Sequence, residues 1–263
     1  MQNKPIGIFD SGIGGTSVWR EIVSLLPYEN TIYLADSKNA PYGKRSKDEI
    51  LSLSIKNVNK LLELNCKAIV VACNTATTNA IKTLRSMYDI PIIGIEPAIK
   101  PAAIATRTKR VGILATKGTL SSSLFNTTSS LYAHDIEVIE IIGTGLVELI
   151  ETGKIDSDEM RELLHSYVLP MVHQDIDYLV LGCTHYPYLI PELKKILPDT
   201  VKIIDSGAAV AKHTKTVLTN NSLLNKGPEI GKHLLYTNSN ISALKSVITP
   251  QNNLTTKVTT LDF

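Results

Sequence analysis

The sequence predicts an α/β fold built twice over: two doubly wound parallel-sheet units, one after the other. Three observations carry this. Strand-like apolar runs alternate with segments of helical periodicity along most of the 263 residues, the pattern of parallel strands joined by right-handed helical crossovers. One phrase occurs twice, about 110 residues apart, first as residues 68–75 (AIVVACNT) and then as residues 178–185 (YLVLGCTH), a spacing of the size of a repeated domain. The opening run, residues 6–9 (IGIF), has its counterpart in residues 111–115 (VGILA).

In order along the chain, residues 6–9 read as a strand buried on both faces. It is closed by Asp10-Ser11-Gly12-Ile13-Gly14-Gly15, whose glycines permit positive φ angles and close approach of backbone to a ligand. A helix with Val18, Ile22, Leu25 and Leu26 on one face ends at Pro27. Residues 31–35 form a second strand ending in Asp36-Ser37, and the loop to Pro41-Tyr42-Gly43 has turn chemistry. A long helix is expected over about 46–64, then the first cysteine strand, a helix over about 77–88 and a short strand at 92–95.

Near Glu96-Pro97 the pattern restarts. A helix ends in the Arg107-Lys109-Arg110 cluster, and strand 111–115 runs into Thr116-Lys117-Gly118-Thr119, in the place of the first glycine loop. Helix 120–132, strand 136–142 and helices over 145–151 and 157–174 lead to the second cysteine strand. Pro187 and Pro191 then open a helix to Leu197, followed by strand 201–204 and the loop Asp205-Ser206-Gly207. Beyond Thr219 the pattern weakens to a loop, a strand over 233–237, and a last dozen residues that suit an edge strand or a loose tail.

Composition narrows the function. A net charge of +2 and 5% aromatic residues give no electrostatic or stacking case for nucleic acid. No apolar run approaches the ~18–20 residues that cross a bilayer, and the first residues lack a signal-peptide core, so no membrane partner and a cytoplasmic location are expected. Three widely spaced cysteines argue for a reducing compartment rather than a disulfide framework. Neither paired CxxC nor HExxH occurs, so no metal site is expected. Gly12-x-Gly14-Gly15 lacks the third glycine of a dinucleotide fingerprint.

The candidate chemistry lies in the repeated phrase. Each copy delivers a thiol, Cys73 or Cys183, at a strand's carboxyl end, where ligands bind in open α/β sheets. Two equivalent acid/base groups are what inverting a stereocentre needs: one takes the α-proton, the other returns a proton to the opposite face. Both cysteines precede expected helix starts, whose dipole favours a thiolate. A lone strand-end cysteine is ordinarily packing, and Cys66, without a counterpart, reads that way. Asn74, Thr75, Thr184 and His185 place donors beside the thiols for a carboxylate and a carbanion-like transition state; helix capping is the alternative for Thr75 and Thr184. Asp10 and Asp36 end strands on one side of the sheet, where either can receive an ammonium or polarise a thiol, or simply start a turn. The histidines at 134, 165, 173, 213 and 233 show no ligand spacing.

Taken together, residues 9–15 (FDSGIGG), Pro41-Tyr42-Gly43, residues 72–76 (ACNTA) and residues 182–187 (GCTHYP) resemble the glutamate racemases, in order and over about residues 5–215. The resemblance implies cofactor-independent interconversion of L- and D-glutamate, supplying D-glutamate for peptidoglycan, by two pseudo-symmetric α/β domains with the active site between them. It implies a first domain of residues 1–97 plus about 208–263, a second of 98–207, and a homodimer. It places the acid/base pair on Cys73 and Cys183 and substrate contacts on Asp10, Ser11, Tyr42, Gly43, Asn74, Thr75, Thr184 and His185. Assisting polar groups fall on Asp10, Asp36, His185 and, through the weaker match of residues 146–153, Glu151. An aspartate or hydantoin racemase of the same superfamily and a non-catalytic two-domain binder are the rival readings. Thr16 stands where the family usually has an apolar residue, and the segment after Leu223 matches poorly apart from Tyr236-Thr237.

Overall fold

A computed structural model describes residues 1–132, 135–248 and 255–263. His134 and the first three of the last dozen residues fall outside these. The chain opens with β1 (Ile6–Asp10), α1 (Thr16–Leu25), β2 (Thr31–Ala35), α2 (Lys47–Glu63), β3 (Ala68–Val71), α3 (Asn74–Met87) and β4 (Ile92–Gly94). It continues through α4 (Ile99–Ala105), β5 (Arg110–Ala115), α5 (Lys117–Leu120), α6 (Ser123–Tyr132), β6 (Glu137–Ile142), α7 (Leu146–Glu151), α8 (Asp158–Val172), β7 (Tyr178–Gly182), α9 (Ile190–Ile196) and β8 (Lys202–Ile204). The end is α10 (Gly207–Asn220), β9 (Lys232–Thr237), α11 (Ile241–Val247) and β10 (Thr255–Thr260).

These strands form two sheets, ordered β10-β9-β2-β1-β3-β4 and β6-β5-β7-β8, and every pairing is parallel. Without β9 and β10, the first sheet has the order of the second: second strand, first, third, fourth. The duplication read from the sequence is therefore a duplication of topology, and β3 and β7, which carry the two cysteines, are equivalent strands. Each is buried almost throughout, as its continuous apolar composition demands.

The elements follow from local chemistry. Ser46 starts α2 with a capping box, its hydroxyl accepting from the Glu49 amide while the Glu49 carboxylate accepts from the Ser46 amide. Val18, Trp19, Ile22 and Val23 bury one face of α1, packed with α10. Helix α3 begins three residues earlier than the periodicity suggests, because Cys73 is its N-cap and the polar pair Asn74-Thr75 forms its first turn. At the end of the chain, β9 and β10 extend the first sheet beyond β2, so the Thr-rich terminal segment is an edge strand.

Candidate active site

Asp10 ends β1 and is fully buried. Its Oδ2 accepts the amides of Gly12 (3.3 Å) and Gly15 (2.8 Å), folding the glycine loop back on the strand, and its Oδ1 accepts from Thr184 Oγ1 at 3.4 Å. One carboxylate thus touches both halves of the molecule. Beside it the Cys73 thiol lies 3.7 Å from Ser11 Oγ, and Cys73 Sγ accepts the Ala76 amide at 3.4 Å. Burial and then the charge of Asp10 push Cys73 well above the usual thiol range; ionising Cys183 would push the same way. Cys73 therefore lies within the field of the second sulfur.

Cys183 has a different neighbour. His185 Nδ1 is 3.7 Å from its sulfur, and His185 Nε2 is 2.6 Å from Glu151 Oε1. An ionised carboxylate only accepts hydrogen bonds, so that short contact assigns a proton to Nε2. The Gly14 amide also approaches Nε2, at 3.2 Å. Burial alone would push this imidazole down, but its bonds to Cys183 and Glu151 outweigh burial and hold it well above its ordinary value. Glu151 is fixed by two further donors from the other half, the Ile13 amide at 2.6 Å and Ser37 Oγ at 3.0 Å.

The family model described as Asp/Glu/Hydantoin racemase matches residues 6–214. The chain belongs to that racemase family. The glutamate racemase of Pseudomonas putida is 45% identical over 94% of this chain and 93% of that protein. Among solved structures, a glutamate racemase isoform from Bacillus anthracis matches with a TM-score of 0.86 at 31% identity, over 100% of this chain and 98% of that one. The Escherichia coli glutamate racemase, solved with L-glutamate and the activator UDP-MurNAc-ala, matches with a TM-score of 0.86 at 32% identity over 98% of each chain. The resemblance to glutamate racemases read from the motifs is borne out, as is the α/β architecture.

Within this racemase, the glycine loop works differently from the expectation. None of Gly12, Gly14 and Gly15 has a positive φ. They are small because of what approaches from the other half: a Cβ on Gly12 would sit 1.9 Å from Glu151 Oε1, and one on Gly14 would sit 2.2 Å from His185 Nδ1. The close approach is by the side chains of Glu151 and His185.

Neither Thr75 nor Thr184 caps a helix. Thr75 Oγ1 reaches across to Thr116 Oγ1 (2.8 Å) and Thr119 Oγ1 (3.3 Å), and Thr184 turns to Asp10. Asn74 is buried and its Nδ2 has no partner among the described residues, leaving one donor free for a ligand. The helix start expected after Cys183 is a 3₁₀ turn, Tyr186–Leu189, preceding α9. A short turn has little aligned dipole, so the group facing this sulfur is the imidazole.

Asp36 follows β2 and starts the turn Ser37–Asn39, the second of its two expected roles. It is fully buried, and its Oδ1 accepts from Asn39 (2.8 Å), Asn238 (2.6 Å) and Lys56 (3.4 Å), its Oδ2 from Tyr42 Oη (2.5 Å) and Asn57 (3.4 Å). Five donors occupy a carboxylate with about four lone-pair sites. Its bonds hold the Tyr42-Gly43 loop, and the ammonium it receives is that of Lys56. Reading from sequence missed Ser37, Thr116, Thr119 and Asn238. Ser37 follows the singled-out Asp36, and Thr116 and Thr119 lie in the segment matched to the glycine loop. Asn238 had no signal beyond its place after Tyr236-Thr237.

Proposed function

We propose that this racemase interconverts L- and D-glutamate without a cofactor, with Cys73 and Cys183 as the acid/base pair. One thiolate takes the α-proton: the C–H bond breaks, an S–H bond forms, and the electron pair stays on the α-carbon. The opposite thiol then gives its proton to the other face and is left as the thiolate. The observation that carries this reading is the equivalence of the two cysteines: each follows the third strand of its parallel sheet, and Asp10 bonds across to Thr184 between them.

The remaining assignments follow the same logic. Cys73 is held as the thiol by burial and by Asp10, while the cationic imidazole of His185, backed by Glu151, faces Cys183 and supplies the positive charge that a thiolate needs. The unpartnered Asn74 amide, with Thr75, Thr184 and Ser11, provides carboxylate contacts, and the Tyr42-Gly43 loop closes the substrate's outer end. Asp36 acts through that loop. Preorganised donors in a site closed to water strengthen as charge develops on the α-carbon. The reading also carries D-glutamate supply for peptidoglycan, a cytoplasmic homodimer, and the division into residues 1–97 with 208–263 and residues 98–207.

The test is isotopic. Purified protein incubated with L-glutamate in heavy water, with no pyridoxal phosphate added, should yield D-glutamate carrying deuterium at the α-carbon. A non-catalytic binder leaves that position unlabelled. Cys73→Ser and Cys183→Ser should each lower racemisation by at least about 10²-fold, the lower end of what a positioned acid or base contributes; wild-type rates in either variant remove the thiol pair.

A further inference from the structure

The two halves also meet at an ion pair outside the network of thiols, imidazole and carboxylates. Lys44 closes the 3₁₀ turn Tyr42–Lys44, directly after Gly43, and its ammonium pairs with Glu148 of α7. The two side chains are 65% and 35% exposed. Glu148 lies three residues before Glu151 on the same helix, so the two carboxylates are neighbours on its surface. Lys44 and Glu148 line a cavity of about 50 Å³ together with Pro41, Gly43, Thr116 and Lys117. Ordinary ligand pockets are ~300–1,000 Å³, so this opening admits a few waters and no amino acid. Along the same seam Thr75 bonds Thr116, and Asn79 donates to the Gly118 carbonyl. A ligand passing along this seam has to widen it, and of the contacts there the Lys44–Glu148 pair is the one with a largely exposed cation, although the Glu148 Oε1 it meets is shielded.

We propose that glutamate enters and leaves between Lys44 and Glu148, and that Lys44 exchanges the Glu148 carboxylate for the substrate's outer carboxylate as the pair opens. Lys44 is then a specificity-determining residue for a dicarboxylate, and Glu148 is its intramolecular competitor. The chemistry fits. With Lys117 on the same cavity, the mouth offers two ammonium groups against one carboxylate, a surplus that suits an incoming ligand with two carboxylates. The loop that bears Lys44 is the one that bears Tyr42 and Gly43, so a carboxylate captured by Lys44 is delivered to the backbone beside it. This inference rests on the glutamate reading above.

Opposite shifts in KM test it. A purely structural ion pair is broken equally by Glu148→Gln and Lys44→Met, so the two variants would move together. Competition predicts that Glu148→Gln lowers the KM for glutamate several-fold. It predicts that Lys44→Met raises KM several-fold with a smaller change in kcat, and that Lys44→Arg stays near wild type. Parallel shifts in the Gln and Met variants, or no shift in either, overturn the inference. The wild-type isotope experiment separates this from the reading beneath it: no racemisation in the wild type removes the function, whereas normal racemisation with parallel shifts removes only the role of Lys44.

Discussion

His185 Nε2 and Glu151 Oε1 stand 2.6 Å apart, in the space that side chains on Gly14 and Gly12 would occupy. The glycine loop and the His185–Glu151 pair are therefore one packing arrangement contributed by two halves of the chain. Ala at position 12 would place its Cβ 1.9 Å from the Glu151 carboxylate, and Ala at position 14 would sit 2.2 Å from the imidazole. Either must push an assisting group out of line, and a displacement of about 1 Å costs on the order of 10²-fold in rate. Gly12→Ala and Gly14→Ala should each lose at least about that much kcat while remaining folded by circular dichroism. Near-normal turnover in both variants would show that the pair has no part in proton transfer.

The second prediction concerns the pH profile. Cys73 is raised first by burial and second by Asp10, so the direction of reaction in which Cys73 serves as the base should accelerate as pH rises. Asp10→Asn removes the second cause and leaves the first. Whatever it does to the maximal rate, it should move the rising limb of that profile to lower pH. Rates measured separately from L- and D-glutamate check this. An unmoved limb in both directions means that Asp10 does not set the ionisation of Cys73.

The strands and the two thiols were legible in the sequence because buried parallel strands are written as continuous apolar runs, and the same run before Cys73 and Cys183 marks equivalent positions. The Gly12 and Gly14 positions were legible as special but not as contacts for Glu151 and His185, because those contacts join residues 139 and 171 positions apart. The two readings of Asp36, site carboxylate or turn start, could not be separated for the same reason. A strand-end carboxylate looks available until the donors from Asn57 and Asn238 are known, and these arrive from a helix and from the end of β9. Helix α11, short and weakly patterned, left no periodic trace to read.

Asp36 gives the third prediction. Its carboxylate ties Tyr42 to Asn238 and Asn57, so its loss should loosen the loop rather than disable proton transfer. Asp36→Asn retains the shape but introduces an amide donor among groups that already donate, leaving buried donors unmatched at ~1–3 kcal/mol. The expected result is a raised KM with kcat affected less, and a lower melting temperature. Tyr42→Phe, which removes the 2.5 Å bond to Asp36 and the 3.0 Å bond that Asn57 Nδ2 donates to Tyr42 Oη, should show the same split in weaker form. A fall in kcat at unchanged KM would instead assign Asp36 to the chemistry.

The last prediction is about acid stability and lies away from the thiols. His233 on β9 is buried, with Nδ1 2.9 Å from Thr31 Oγ1 and Nε2 without a partner among the described residues. Burial lowers its pKa from 6.5 to about 4, so the folded protein holds this ring neutral where the unfolded chain would protonate it. Between those values the unfolded state binds more protons, and stability must fall as pH drops. The loss begins near pH 6.5, reaches about 2 kcal/mol at pH 5 and is complete near pH 4, at ~1.4 kcal/mol for each pH step of one. Urea midpoints at pH 7 and pH 5 measure it. His233→Gln, which cannot titrate, should show a smaller difference between the two pH values even where its stability at pH 7 is lower. An identical pH dependence in the variant would move the acid sensitivity to other groups.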